Sequence, residues 1–172
     1  MHFKSTFLKN FLTVGLWTFV SRIFGFCRDI MLAAFLGSGP IGEAFIIAFS
    51  LPNIFRRFFA EGAFNAAFIP MFKKNMHNKK QSIEFTNNTL SVMILILFIF
   101  TIISIIIMPL LVFAMASGFQ NDVRFETSVI YGRITFPYIF FVSLSSLFAG
   151  ILNSYGKFGV VSATPIFLNL FL

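Results

Sequence analysis

No charged side chain occurs anywhere between residues 90 and 116 of this sequence. A transmembrane helix needs about 20 consecutive, mainly apolar residues, so this stretch is long enough to cross a lipid bilayer. The rest of the chain has the same character, because 58% of its residues are hydrophobic and only 11% are charged. Soluble domains carry roughly a quarter charged residues. The sequence therefore predicts an all-α, polytopic transmembrane helical bundle.

Five spans are predicted, and we expect them to form a single transmembrane domain over residues 1–172. They cover residues 11–36, 41–59, 90–116, 129–154 and 158–172, with a connection at 60–84. The first span is too long and too charged for a cleaved signal peptide, so we interpret it as a retained helix. Pro40 suits the first turn of the second span, whereas Pro52 lies inside that span and should kink it.

The lysines predict the orientation of the chain in the membrane. They all fall in the N-terminal flank, in the connection at 60–84 or in the connection between the last two spans. With five spans these segments share one side of the membrane, and the positive-inside rule makes that side the cytoplasm. The N-terminus and the connection at 60–84 are therefore expected to be cytoplasmic. Within the connection, Phe64, Phe68 and Phe72 recur every fourth residue, which predicts an interfacial amphipathic segment.

Several charges lie where a membrane helix should have none. Arg22, Arg28 and Asp29 interrupt the first span, and the second span carries further charges at Glu43, Arg56, Arg57 and, just beyond its end, Glu61. A charge at the centre of a membrane helix costs roughly 2.5–3.5 kcal/mol on insertion scales, so such groups must face each other or a polar cavity. Arginine is always protonated and can grip two phosphate oxygens at once. A cationic cavity that binds an anionic substrate is the functional hypothesis.

A purely structural role for these charges is the alternative. Arg22 and Asp29 stand seven residues apart on one helix face and could pair with neighbouring helices. Arg57 and Glu61 could pair locally, and Arg56 could extend to the membrane surface. Arg124 and Arg133 are interpreted as structural. Asp29 and Glu43 are candidates for carrying a coupling proton.

Two long motifs resemble a known family. Residues 21–29 read SRIFGFCRD and resemble the S-R-x-x-G-x-x-R-D motif of the MurJ/MviN family of lipid II flippases. Residues 51–64 read LPNIFRRFFAEGAF and resemble the family's LPN-x-x-RR-x-x-AEGAF signature. Shorter matches follow in order at 67–70, 133–138 and 150–154. The resemblance covers the chain from about residue 11 onward.

The resemblance implies part of the N-terminal lobe of a MATE-like transporter in the bacterial inner membrane. The implied substrate is lipid II, the lipid-linked peptidoglycan precursor, moved outward by alternating access. By the same analogy Arg22, Arg28, Arg56 and Arg57 bind the substrate, while Asp29, Glu43 and Glu61 act in gating or coupling. The family pattern has Asp where this chain has Glu43, so the charge is kept on a longer arm.

The family has a second lobe, and alternating access needs both halves. We therefore expect this chain to be incomplete on its own, with the missing lobe supplied by the same or another chain. No cofactor is expected, apart from coupling to an ion gradient or the membrane potential. The isolated Cys27, His2 and His77 predict no metal site, and no module for nucleic-acid binding is present. The alternatives are a non-transporting remnant or scaffold and, with less support, an intramembrane enzyme acting on lipid carriers.

Overall fold

The computed structural model describes residues 2–59 and 63–171, and within those residues it contains helices and no strands. The all-α fold class is thus confirmed. The α-helices, in chain order, are α1 (His2–Leu36), α2 (Pro40–Phe59), α3 (Ala63–Asn75), α4 (Lys79–Ile106), α5 (Met108–Met115), α6 (Val123–Thr135), α7 (Tyr138–Ser154) and α8 (Phe158–Phe171). A 3₁₀ turn, Ser117–Phe119, connects α5 to α6.

The boundary between α1 and α2 follows from local sequence. Gly37 has a φ of 62°, a left-handed conformation that glycine adopts without steric cost, and its N–H reaches the Ala33 carbonyl at 3.0 Å. Pro40 then occupies the first position of α2, where its missing N–H costs nothing. Helix α2 continues through Pro52 to Phe59, and a kink at Pro52 stays a prediction.

The helices after α2 differ from the predicted apolar stretches. Most of the described part of the 60–84 connection is helical, because α3 occupies it and α4 already begins at Lys79. Asn78 caps α4 by accepting a hydrogen bond from the Lys80 N–H at 3.0 Å. The stretch 90–116 is divided between α4 and α5 at Ile107, and α6 and α7 divide at residues 136–137. Hydropathy marks where a helix is apolar, whereas caps and prolines decide where it begins and ends.

Within the described residues, two helical stretches are long and apolar enough to cross a membrane, Lys79–Ile106 and Val123–Ser154. Phe158–Leu170 is a shorter apolar helix. The number of five spans therefore stays a prediction.

The chain forms two compact units. Unit 1 contains the described residues of Met1–Gly37 and Leu152–Leu172, so it consists mainly of α1 packed against α8. Unit 2 is Ser38–Ile151. Among the described side chains of unit 1, only Ser21 is buried.

Unit 2 has two apolar clusters. The first gathers buried residues of α2, α5, α6 and α7 and of the turn between α6 and α7, namely Leu51, Met108, Val112, Val129, Phe136 and Ile139. The second gathers Phe68, Phe72, Met93, Leu97 and Leu147 from α3, α4 and α7. Phe64, Phe68 and Phe72 stack successively with 5.5 Å between ring centroids. The face predicted to be interfacial is therefore largely covered by other helices of unit 2, because Phe68 and Phe72 are only 3% and 1% exposed.

Two backbone carbonyls lack a helical N–H donor because a proline follows four residues later, and side chains of α6 donate to both. Pro52 has no N–H for the Ala48 carbonyl, and the Thr135 hydroxyl lies 3.4 Å from that oxygen. Pro109 likewise has no N–H for the Ile105 carbonyl, which accepts from Arg133 Nε at 3.2 Å. Arg133 therefore has a contact within the protein, and its interpretation as a structural residue stays a prediction.

Candidate functional site

The Arg28 side chain, on α1, is held from two directions. Its Nε and Nη2 atoms donate to Asp29 Oδ1 at 3.1 and 2.8 Å. Its Nη1 atom donates to Asn169 Oδ1 on α8 at 3.0 Å. A guanidinium carries five N–H groups, and these contacts leave two of them for a ligand. The side chain is 21% exposed, so it is restrained without being sealed from its surroundings.

Asn169 is a member of this network that sequence reasoning missed. Its Nδ2 atom donates to the Ser21 carbonyl at 2.9 Å and lies 3.4 Å from the Ser21 hydroxyl. A polar amide inside an apolar helix is a signal that could have been noticed, because such side chains usually find a partner on another helix. Its partner could not have been identified from spacing, since Arg28 and Asn169 are 141 residues apart.

Arg22 lies six residues before Arg28 on the same helix and is exposed. The structure gives its side chain no hydrogen bond or ion pair within residues 2–59 and 63–171. The structural alternative predicted that Arg22 and Asp29 form ion pairs with neighbouring helices. Arg22 makes no such pair with the described residues. Asp29 is 65% exposed and pairs with its neighbour Arg28. Helix α1 therefore has two arginines and one carboxylate, which pairs with Arg28 and not with Arg22, so the net charge of the three side chains is positive.

The arginines of α2 lie in unit 2. Arg56 is half-buried and Arg57 is exposed, both in the last turn of the helix. Glu61, which the sequence predicts beside them, lies outside the described residues, and so does its pairing with Arg57. The polar neighbours of Pro52 bond within their own helix, with Ser50 Oγ donating to the Ile46 carbonyl at 2.7 Å and Asn53 Nδ2 to the Phe49 carbonyl at 3.0 Å.

Glu43 belongs to a separate charged cluster in unit 2, where it accepts a hydrogen bond from Arg124 Nη1 at 2.6 Å. Arg124 also pairs with Asp122 at 2.6 Å, and its guanidinium carbon lies 4.3 Å from the centre of the Phe119 ring. Asp122 caps α6 by accepting from the Arg124 backbone N–H at 3.1 Å. That hydrogen bond, followed by those from the Arg124 side chain, lowers the pKa of the Asp122 carboxyl.

These contacts distinguish Arg124 from the arginines of α1. Arg124 is paired with two carboxylates, Glu43 and Asp122. Arg22 and Arg28 together have one carboxylate, Asp29, so their net charge stays positive, and a guanidinium can bind two phosphate oxygens at once. An apolar groove of about 500 Å³ beside Phe64, Phe85 and Met93 has no charged side chain in its lining, so it offers nothing comparable to a phosphate. Within the described residues, no group of three or more His, Cys, Asp or Glu side chains is placed to hold a metal ion.

Comparison with known proteins gives a consistent result. The family model described as "Lipid II flippase MurJ" matches residues 32–172. A "Probable lipid II flippase MurJ" of Rhizobium tropici is 43% identical over 95% of this chain and 31% of its own length. The protein of the same name from Buchnera aphidicola subsp. Baizongia pistaciae is 44% identical over 95% of this chain and 32% of its own length. The "Lipid II flippase MurJ" of Burkholderia cenocepacia is 36% identical over 94% and 32%. The chain thus spans about a third of the length of the curated relatives it matches.

Proposed function

The chain belongs to the lipid II flippase MurJ family, and from this premise we propose that it supplies the N-terminal portion of a lipid II flippase. In that role it binds the anionic, pyrophosphate-linked lipid carrier and takes part in moving it outward across the bacterial inner membrane for cell-wall synthesis. The process breaks and forms no covalent bond. The names of the relatives describe a transporter and not an enzyme.

The observation that carries the proposal is the state of the arginines on α1. Arg28 is restrained by Asp29 and Asn169 and still has two N–H groups to offer. Arg22, six residues or about 1.7 turns away, is exposed and positive. A pyrophosphate supplies the negative charge and the acceptor oxygens that such a pair lacks. The site has one carboxylate for two arginines, so it repels an entering anion little. The N–H groups of the arginines replace the hydrogen bonds to water that the anion loses on binding.

The remaining site residues are assigned by the family motif. Arg56 and Arg57 would contact the same anionic substrate, and Asp29, Glu43 and Glu61 would act in gating or coupling. The Glu43–Arg124 ion pair supports a gating role for Glu43, because a bond of 2.6 Å between residues 81 apart is a contact that can be made or released as helices move. The energy source is proposed to be an ion gradient or the membrane potential.

The topology belongs to the same proposal. Five spans, a cytoplasmic N-terminus and a multi-pass location in the inner membrane agree with the positions of the lysines. Transport by alternating access also requires a second lobe, from the same chain or from another. The partners are therefore lipid II, the surrounding membrane lipids and that second lobe.

The test is lipid II export in bacteria depleted of their own flippase. The chain is expressed as it stands, and also in place of the matching third of a full-length relative. We expect export from the chimaera and none from the chain alone. In the chimaera, Arg28→Ala should lower export about ten- to hundredfold, because hydrogen bonds to a charged group contribute roughly 1.5–3 kcal/mol.

Lys157→Ala is the matched control. It also removes a cation from unit 1, but from the exposed turn between α7 and α8, and export should be unchanged. Normal export by Arg28→Ala at equal protein level would contradict the proposed binding role. Export by the chain alone would contradict the need for a second lobe.

A further inference from the structure

We propose that Asn169 is a positioning residue that sets the direction of the Arg28 guanidinium toward the pyrophosphate of the substrate; this rests on the proposed function. Neither of the long motifs contains Asn169, which lies on α8 near the end of the described chain. The proposal follows from the two ends of its amide, from the packing of α1 beside it and from the charge of the network.

The amide of Asn169 can be oriented in only one way. Its oxygen accepts from Arg28 Nη1 at 3.0 Å, and its nitrogen donates to the Ser21 carbonyl at 2.9 Å. If the amide were reversed, its NH₂ group would face the Arg28 guanidinium, which has donors and no acceptor. Its oxygen would then face the Ser21 carbonyl, which can accept a hydrogen bond but cannot donate one. The Ser21 carbonyl is fixed in the middle of α1. Asn169 therefore connects the position of the α1 backbone at Ser21 to the Arg28 side chain about two helix turns away.

The Asn169 amide can lie close to α1 because residue 25 of that helix is a glycine. Ser21, Gly25 and Arg28 are spaced i, i+4 and i+7 and so lie on one face of the helix. A Cβ added to Gly25 would lie 3.3 Å from Asn169 Nδ2, which is closer than an ordinary contact. Glycine at position 25 thus allows the amide to lie against the helix. Ser21, Gly25 and Arg28 of the SRIFGFCRD segment therefore form the surface against which Asn169 packs.

The choice of an amide also has an electrostatic consequence. Arg28 is already paired with the Asp29 carboxylate at 2.8 Å. A second carboxylate at position 169 would cancel the net positive charge of Arg22, Arg28 and Asp29 and so weaken the attraction of a pyrophosphate, whereas an amide orients the guanidinium and adds no charge. The side chain that holds Arg28 from α8 therefore needs to be neutral and able to accept a hydrogen bond.

The experiment measures binding of purified lipid II to the purified chimaera described above. We expect Asn169→Ala to weaken binding about tenfold, which is the loss of one hydrogen bond to a charged group. Asn169→Asp, nearly identical in size, should weaken it further because of its charge. Gly25→Ala should also weaken binding, while Gly15→Ala, on the same helix with nothing within 4 Å of an added Cβ, should not.

A purely structural role is tested by a double-variant cycle with thermal unfolding of each protein measured without lipid. If Asn169 acts through Arg28, then Asn169→Ala should cost no further binding in an Arg28→Ala background. Additive losses, or normal binding by both Asn169→Ala and Asn169→Asp, would overturn the proposal. If Arg28→Ala weakens binding and the Asn169 variants do not, only this inference fails. If Arg28→Ala itself binds normally, the proposed binding site fails and the inference fails with it.

Discussion

The two units of this molecule differ in how their helices are packed. In unit 2, the Thr135 and Arg133 side chains donate to carbonyls that Pro52 and Pro109 leave free. Around them lie the two buried apolar clusters. In the described part of unit 1 there is no such cluster, and the only buried side chain is Ser21, within hydrogen-bonding distance of Asn169.

The comparison teaches that the function of an arginine depends on how far the protein itself neutralises its charge. Arg124 is paired with two carboxylates, Glu43 and Asp122, and lies over the face of the Phe119 ring. Arg28 has one carboxylate, Asp29, and the neutral amide of Asn169 as partners, and it retains two N–H groups. The first arrangement stabilises a helix terminus and its neighbours. The second prepares a side chain for a ligand, since part of the entropy cost of ordering it has already been met by folding.

The largest expected effect concerns the apolar core of unit 2, which the described part of unit 1 lacks. Phe136 is fully buried, with the rings of Phe55 and Phe100 both at 5.8 Å. Phe136→Ala should lower the free energy of unfolding by about 3–5 kcal/mol through lost contacts and the cavity left behind. Chemical unfolding in detergent micelles measures it. Phe26→Ala, at a 67% exposed position of α1, is the control from unit 1 and should change it little.

A smaller effect should have opposite signs in the two units. A Cβ at Gly132, on α6, would lie 2.7 Å from the sulfur of the buried Met108, so Gly132→Ala should destabilise unit 2 by about 1–3 kcal/mol. A Cβ at Gly15, inside α1, meets nothing within 4 Å. Gly15→Ala should therefore stabilise the chain by about 0.5–1 kcal/mol, through helix propensity alone. Thermal unfolding of both variants gives the two signs, and a stable Gly132→Ala would show that unit 2 is less closely packed than its contacts indicate.

The smallest expected effect is a pH dependence of the charged cluster in unit 2. The pKa of the Asp122 carboxyl is lowered by the hydrogen bonds from Arg124. Its contribution to stability is therefore complete above the ordinary carboxyl pKa of about 4 and is lost as the pH falls through the lowered value. Asp122→Asn keeps a good helix cap and removes the titrating group. The variant's thermal midpoint should fall less steeply than the parent's as the pH is lowered from 5 toward 2; equal slopes would contradict the assignment.

Much of this protein could be predicted from local sequence. The apolar stretches and the scarcity of charge predicted helices, and the motif at 21–29 pointed to Arg22 and Arg28 before any contact was known. Gly37 and Pro40 end one helix and begin the next through backbone restrictions that act within a few residues. The helical start of α4 at Lys79 was missed because hydropathy does not detect a polar first turn capped by Asn78.

The sequence by itself determined the helical class and the excess of arginine over carboxylate in α1, because propensity, capping and charge are properties of neighbouring residues. Only the tertiary structure decided which residue of another helix each arginine meets. Arg28 meets Asn169 across 141 residues, and Arg124 meets Glu43 across 81. Such pairs depend on which faces of two helices pack together. That choice is made by the fit of whole helix surfaces, and no local pattern encodes it.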